Sequence, residues 1–213
     1  MRIGVFGGTF DPVHLGHLIL AEQCREEARL DRVAFVPAAR PPHKLHRPVT
    51  PFSHRVEMLN LAIAGHSAFI VDELEKERAG PSFTVDTLEE FHRRDRTAEL
   101  VLLVGSDCLG DLPSWRDPVR IGQLAELLVM RRAGWSVETL EKLRVDGQFP
   151  PDLRLLTLTG APMIDLSSRD LRERAAKGRS LRFLVPRAVE CYIQTHRLYE
   201  AEAAGADDSQ GAG

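Results

Sequence analysis

Two glycines and two histidines lie close together near the start of the chain, in the segment Gly7-Gly8-Thr9-Phe10-Asp11-Pro12-Val13-His14-Leu15-Gly16-His17. The Gly-Gly pair allows a sharp turn and a close approach of the backbone to a ligand. A helix that starts after it offers unpaired N–H groups and a positive dipole end to an anion. His14 and His17 project to one side of such a helix and can donate to phosphate oxygens, and Gly16 removes bulk where a base or ribose could lie. The pattern predicts a phosphate cradle.

Two other interpretations of this segment stay open. A Gly-Gly turn after a strand is also typical of tight packing. His14 and His17, together with His43 and His46 at the same spacing, resemble two halves of a four-histidine zinc site. Zinc does not explain the glycines, and no supporting carboxylate is evident beyond Asp11. We therefore predict phosphate binding and no metal site made by the protein's own side chains.

A second candidate phosphate site lies late in the chain, at Leu166-Ser167-Ser168-Arg169-Asp170-Leu171-Arg172. Ser167 is a typical N-cap residue, so a helix is expected to begin at Ser168. The Ser168 hydroxyl and the first-turn amides could bind a phosphate, with Arg172 one turn later supplying positive charge. On the residues alone, a capped helix without a ligand is the favoured interpretation.

The rest of the sequence alternates short apolar runs with stretches of helical periodicity, which indicates parallel strands joined by helical crossovers. The predicted strands are 3–6, 33–36, 69–71, 100–104, 127–130 and 153–158. The predicted helices are 15–29, 53–64, 84–94, 117–123, 136–144, 168–177 and 186–197, with Pro186 in the first turn of the last. We expect an α/β fold with a doubly wound parallel sheet.

Length and composition set further limits. The 213 residues predict one domain over 1–199, and the Ala, Gly, Asp and Ser of 200–213 predict a disordered tail. A net charge of -3 gives no bulk attraction to nucleic acid or anionic lipid, and no apolar stretch is long enough to cross a membrane. Three widely spaced cysteines without a C-x-x-C pair favour a reducing compartment, so we expect a cytoplasmic protein. The oligomeric state stays open, a homo-oligomer included.

Two proline-rich or glycine-rich segments, 37–51 and 78–82, are predicted as loops close behind strands. Ligands of open α/β sheets bind beyond the carboxyl ends of the strands, so these loops are candidate substrate lids. Trp115 lies in a similar stretch and could either pack at the edge of the core or stack on a flat ring.

The sequence resembles the nucleotidyltransferase superfamily that shares the H-x-G-H motif, and within it the bacterial nicotinate-nucleotide adenylyltransferases. The resemblance covers the chain to about Tyr199. Beyond residues 7–17, it is carried by Pro41-Pro42-His43-Lys44, Pro81-Ser82-Phe83-Thr84-Val85-Asp86-Thr87-Leu88, Gly105-Ser106-Asp107, Trp115, Val129-Met130-Arg131-Arg132 and residues 165–172. The late motif departs from the usual family pattern at Arg169, where a Thr is common.

The resemblance implies a Rossmann-like nucleotidyltransferase fold and adenylyl transfer from ATP to nicotinate mononucleotide, with Mg²⁺ bound to the substrates. It implies catalytic roles for His14, His17, Lys44 and Arg172. It implies acceptor-binding roles for Thr84 and Trp115. The implied ATP-binding residues are Gly7, Gly8, Thr9, Phe10, Gly16, Gly105, Asp107, Arg131, Ser167 and Ser168.

Other activities stay in view at this point. An adenylyltransferase acting on phosphopantetheine or on nicotinamide mononucleotide shares the first motif, although the phosphopantetheine branch generally has Thr where His14 stands. A cytidylyltransferase carries a different late motif. A non-catalytic nucleotide-binding or zinc-binding protein would tolerate loss of the phosphate ligands, which are present here.

Overall fold

The computed structural model describes residues 1–41, 49–78, 80–130, 154–158, 162 and 164–200. These residues contain six strands: β1 Arg2–Gly8, β2 Arg32–Pro37, β3 Phe69–Val71, β4 Glu99–Gly105, β5 Ala125–Met130 and β6 Leu155–Leu158. The same residues contain six α-helices: α1 Leu15–Glu27, α2 Phe52–Ile63, α3 Thr84–Arg94, α4 Pro118–Leu124, α5 Ser168–Ala176 and α6 Arg187–Thr195. Each predicted strand is found, while the predicted helix 136–144 and the tail beyond Glu200 lie outside the described residues.

The strands form one parallel sheet in the order β3-β2-β1-β4-β5-β6. This order confirms the doubly wound α/β prediction, with the direction of winding reversing between β1 and β4. In the register of β1 and β2, Gly8 lies beside Pro37, and in that of β4 and β5, Gly105 lies beside Met130. The glycines that end β1 and β4 therefore both lie at the carboxyl edge of the sheet.

Alternate strand residues pack into two separate cores. Phe6, Val101 and Leu103 face the layer that contains α1, α2 and α6, whereas Val5 and Leu102 face the layer of α3 and α4. Burial on both faces explains why the strands are nearly continuous in Val, Ile and Leu. Within the residues placed by the structure, no helix is long and apolar enough to cross a membrane.

Five of the six described helices differ from the predicted bounds by one or two residues, and the largest differences are in α1 and α6. The first helix ends at Glu27 rather than residue 29, because Arg29 takes a left-handed backbone conformation. The amides of Arg29 and Leu30 then donate to the carbonyls of Glu26 and Arg25, which closes the helix end without the usual glycine. Pro186 lies just before α6 rather than in its first turn.

Candidate active site

The first part of the site is the phosphate loop, residues 7–17, which joins β1 to α1. Phe10 has a left-handed φ of 49° and is buried with its ring edge against Phe6. A Cβ at Gly8 would lie 2.9 Å from the Phe10 ring, so only glycine fits there. A Cβ at Gly7 would meet nothing within 4 Å, because this position opens at the edge of the sheet. The predicted turn is therefore present. Gly8 is required there by the packing of the Phe10 ring, whereas Gly7 leaves space open for a ligand.

The two histidines of the motif stack on each other at the start of α1. Their ring centroids are 3.7 Å apart at an angle of 28°, and His14 is 2% exposed. The backbone N–H of His14 donates to Nδ1 of His17 over 3.2 Å. Because Nδ1 accepts, a neutral His17 ring carries its proton on Nε2, so Nε2 is its donor. The predicted projection of both rings to one side is confirmed.

Gly16 has a packing role that the sequence did not predict. A Cβ at this position would lie 3.0 Å from Nδ1 of His14 and 3.3 Å from the side chain of Ile164. The absence of a side chain at Gly16 therefore allows the His14 ring to lie against the first turn of α1, a contact that the sequence spacing did not predict. The role of Gly16 beside a base or ribose stays a prediction.

The late motif lies against the phosphate loop. Ser167 is the N-cap of α5, as predicted, and its hydroxyl accepts from the Asp170 amide over 3.1 Å. The Ser168 hydroxyl donates to the Pro12 carbonyl over 2.9 Å, and the Arg172 guanidinium donates to the Asp11 carbonyl over 2.6 Å. The start of α5 therefore braces the loop. Arg172 has five donors in all, so this bond leaves others for an anion.

Thr84 and Trp115 also lie on the cleft, on what we call the acceptor wall, residues 82–84 and 114–116. Thr84 is the first residue of α3, and Trp115 follows the short 3-10 turn Leu112–Ser114. Two adjoining cavities of about 240 and 190 Å³ both reach these residues. The cavities share the lining residues Gly8, Ala38, Ser82, Thr84 and Trp115. The phosphate loop and the acceptor wall therefore face one continuous cleft.

Parts of both predicted lids line this cleft. Ala38 and Pro41 come from the loop after β2, and Ser82 comes from the loop before α3. The amide of Ser82 donates to the carbonyl of Arg40, and the amide of Arg40 donates to the Ser82 hydroxyl, each over 3.0 Å. These two bonds tie the loops together at the mouth of the cleft.

Some predicted site residues are not placed by the structure. Lys44, His43 and His46 fall in the range 42–48, and Arg131 falls in 131–153, both outside the described residues. Gly105 ends β4 at the carboxyl edge, and the backbone of Asp107 lies in the following 3-10 turn, Ser106–Cys108. Their roles stay predictions.

Sequence reasoning missed a buried carboxylate below the acceptor wall. Glu75 is 7% exposed and lines the smaller cavity. It accepts from the Thr87 hydroxyl over 2.7 Å and from the Ala39 amide over 3.3 Å. All of its neighbours in Asp72-Glu73-Leu74-Glu75-Lys76-Glu77-Arg78 except Leu74 are charged, so the segment is typical of a solvated surface and does not indicate a buried carboxylate.

Sequence reasoning also missed Arg55, whose guanidinium lies behind the phosphate loop. Arg55 is 1% exposed and donates to the carbonyls of Thr9 and Thr50 over 2.8 and 2.9 Å. Burial lowers the pKa of its guanidinium, while the nearby charge of Asp11 opposes that shift. The ordinary pKa of arginine is so high that the group stays charged at neutral pH. Arg55 thus holds a positive charge under the loop.

The cleft combines donors from several elements. Several donors lie around the phosphate loop: the two histidine rings, the first-turn amides of α1 and α5, and the Arg172 guanidinium. This arrangement suits a bound polyphosphate. The acceptor wall offers the first-turn amides of α3 and the ring of Trp115. The arrangement can hold a phosphate-bearing ligand in contact with a flat, anionic one.

Comparisons with known proteins agree with this geometry. Residues 5–174 match the family model described as cytidylyltransferase-like. A relative from Thermomicrobium roseum, named "Probable nicotinate-nucleotide adenylyltransferase", is 46% identical over 93% of this chain and 91% of its own length. A relative of the same name from Thermus thermophilus is 45% identical over 93% of this chain and 100% of its own.

A solved structure shares the fold. The nicotinic acid mononucleotide adenylyltransferase of Plasmodium falciparum, complexed with NaAD, superposes with a TM-score of 0.76. The match covers 93% of this chain and 97% of that one at 19% identity. At this identity the likeness supports the Rossmann-like fold alone.

Proposed function

The chain belongs to the cytidylyltransferase-like family and, within it, to the nicotinate-nucleotide adenylyltransferases, and from this membership we propose how its cleft works. It is a nucleotidyltransferase that transfers the adenylyl group of ATP to nicotinate mononucleotide in NAD biosynthesis. We assign this reaction to the cleft because the cleft is continuous. The same cavities reach Gly8 of the phosphate loop and Thr84 and Trp115 of the acceptor wall.

The reaction joins two anions. A phosphate oxygen of nicotinate mononucleotide forms a bond to the α-phosphorus of ATP, and the bond from that phosphorus to the β-phosphate bridging oxygen breaks. Pyrophosphate leaves with the electron pair. The second pKa of a phosphomonoester is about 6, so the nucleophile is already largely dianionic at neutral pH and needs no general base. The protein must hold the reactants in line and neutralise charge.

The phosphate loop is suited to that task. We assign the α-phosphate contact to Nε2 of His17, whose proton position follows from the bond at Nδ1. His14 packs against His17 and orients it. Arg172, held beside Asp11, adds charge to the departing pyrophosphate side, and Lys44 is expected to act there too on the family resemblance.

The acceptor wall is suited to a flat acid. The first amides of α3 have no partner within the helix, and they lie at the positive end of the helix dipole, which begins at Thr84. A carboxylate accepts from such amides, whereas an amide group would present its own NH₂ donors to them. The Trp115 ring lines the same cavity and can stack on the pyridine ring.

The residues of the cleft fit a metal ion that arrives on the polyphosphate. Among the residues whose positions are described, no group of three or more His, Cys, Asp or Glu side chains could hold a metal. The Asp11 carboxylate accepts instead from Tyr199 and from the Thr50 amide. We propose that Mg²⁺ binds chiefly through substrate phosphates, where it neutralises charge on their oxygens.

The acceptor is tested by measuring pyrophosphate release with ATP, Mg²⁺ and each of three acceptors: nicotinate mononucleotide, nicotinamide mononucleotide and phosphopantetheine. We expect the acid to be preferred over the amide by at least ~10²-fold in kcat/KM, because a site of donors leaves one facing the NH₂ group. Equal use of acid and amide would contradict the nicotinate assignment, and phosphopantetheine turnover would identify the other branch.

The metal is tested by chelation. Activity should require added Mg²⁺ and survive a zinc-selective chelator. About one tightly bound zinc per chain, with activity lost to that chelator, would support the four-histidine interpretation instead.

A further inference from the structure

The phosphate loop is tied to the end of the described chain. The hydroxyl of Tyr199 donates to Oδ1 of Asp11 over 2.7 Å. Asp11 is 3% exposed, and its Oδ2 accepts from the Thr50 amide over 3.3 Å. The backbone of the same residue accepts from Arg172. Asp11 is therefore held by its side chain and its main chain at once, three residues before His14.

Two aromatic residues at this tie, Tyr199 itself and Phe10, adopt backbone conformations that cost free energy. Tyr199 has a φ of 67°, and Phe10, directly before Asp11, has a φ of 49°. Bulky side chains adopt left-handed conformations only where surrounding contacts compensate. Burial and the neighbouring Asp11 charge both raise the pKa of the Tyr199 hydroxyl, so it stays a protonated donor at neutral pH.

We propose that Tyr199 is a positioning residue for adenylyl transfer, acting through Asp11 to fix the backbone between Gly8 and His14. That stretch sets the place of the histidine pair relative to the Gly-Gly turn. Tyr199 is not among the described residues that line these two cavities, so we place its action in the loop rather than in a direct contact with a substrate. The inference rests on the proposed function, because it concerns the ATP half of that site.

The effect of losing this tie should be confined to one substrate. A displacement of about 1 Å at a reacting group can cost ~10²-fold in rate. Removal of the hydroxyl leaves Asp11 bonded to the Thr50 amide and Arg172, so we expect a partial displacement and a fall in kcat of roughly tenfold. The acceptor wall makes its own contacts, so KM for nicotinate mononucleotide should not change.

The test compares Tyr199→Phe with Tyr192→Phe. Tyr192 is the matched control, since its hydroxyl bonds to Nδ1 of His54 over 2.9 Å and its ring packs against the same core. For Tyr199→Phe we expect kcat about tenfold lower and KM for ATP about threefold higher, whereas Tyr192→Phe should stay within about twofold of the parent chain. General destabilisation would lower the amount of active enzyme without this split between the two KM values.

Hydrogen exchange without substrates provides a readout that does not depend on the reaction. Amides of residues 9–14 should exchange faster in Tyr199→Phe and at the parent rate in Tyr192→Phe. Unchanged exchange there, or a rise in both KM values together, would overturn the proposal. If the parent chain releases no pyrophosphate from ATP and nicotinate mononucleotide, the proposed function fails. The exchange result still shows whether the bond from Tyr199 to Asp11 holds the phosphate loop in place.

A second variant covers the case in which Tyr199→Phe unfolds early. Asp11→Asn keeps the size of the side chain and removes its charge, which weakens the same tie without changing Tyr199. By itself it should lower kcat and raise KM for ATP while KM for nicotinate mononucleotide stays unchanged, and an equal rise in both KM values would contradict the proposal. Where Tyr199→Phe does fold and the two residues act as one unit, the double variant should be no slower than the slower single variant. Multiplied losses in the double variant would mean that the residues act independently and would contradict the proposal.

Discussion

The two halves of the cleft are held by contacts of different reach along the chain. The phosphate loop is fixed by Arg55, Ser168, Arg172 and Tyr199, through bonds between residues 46 to 188 positions apart. The acceptor wall and the residues beneath it are fixed by bonds that span 8 to 42 positions. The ATP half thus depends on the last described part of the chain, whereas the acceptor half is built from its own neighbourhood.

The difference predicts where distant substitutions act. The four ties of the phosphate loop are all partly buried, and a buried partner left unpaired costs about 1–3 kcal/mol. Around the acceptor wall, Arg116 pairs with Asp86 at 3.3 Å with side chains 57% and 27% exposed, and such pairs contribute about 0–1 kcal/mol. Changes far from the cleft should therefore alter the use of ATP more than that of the acceptor.

The largest effect should come from the phosphate loop itself. His17→Ala should lower kcat by about 10² or more, because it removes a donor placed where charge develops in the transition state. Steady-state pyrophosphate release measures the effect, and thermal unfolding checks that the variant is folded.

His66→Ala is the matched control for that change. His66 stacks on Phe69 and pairs with Glu22 at 3.1 Å, outside the cleft. Its loss should change kcat little. Unchanged turnover in a folded His17→Ala variant would remove His17 from the mechanism.

Gly7→Ala tests whether the open space beside Gly7 is occupied by the ligand. A Cβ at Gly7 meets no protein atom within 4 Å, so the fold should be unaffected. The same methyl group would reach the space where we place the polyphosphate, and we expect KM for ATP to rise about tenfold, equivalent to about 1.4 kcal/mol.

Gly110→Ala is the control for Gly7→Ala, since its Cβ also meets nothing within 4 Å and it does not line the cleft cavities. Equal ATP affinity in Gly7→Ala and Gly110→Ala would place the polyphosphate elsewhere.

On the acceptor side, Trp115→Ala should raise KM for nicotinate mononucleotide by about tenfold and leave KM for ATP nearly unchanged. An aromatic stacking partner contributes about 0.5–1.5 kcal/mol beyond the apolar area it covers. Steady-state kinetics with each substrate varied in turn measures both values. An effect confined to ATP would reverse our assignment of the two halves.

The sequence predicted the sheet and the local motifs well, for physical reasons. Continuous Val, Ile and Leu runs identify strands buried on both faces, and the Ser167 cap and the Gly-Gly turn depend on neighbouring residues only. Tyr199, Arg55 and Glu75 were not predicted because their roles follow from partners far along the chain or within an apparently solvated charge run. The packing of the His14 ring against Gly16 was not predicted either, because the spacing of the motif does not show where a side chain folds.

The smallest effect should come from Glu75→Gln, which tests whether the acceptor half is only locally braced. The Gln carbonyl can still accept from the Thr87 hydroxyl, while the weak bond from the Ala39 amide at 3.3 Å is put at risk. We expect the free energy of unfolding in urea to fall by about 1 kcal/mol, the net value of one hydrogen bond. The kinetic constants for both substrates should stay within about threefold, since Glu75 supports the wall from beneath. Glu73→Gln is the control, because that carboxylate is 43% exposed and pairs with Lys76 at 3.3 Å, so its loss should be nearly neutral. A tenfold or greater fall in kcat for Glu75→Gln alone would mean that this carboxylate acts on a substrate, and the contrast between the two halves would then be wrong.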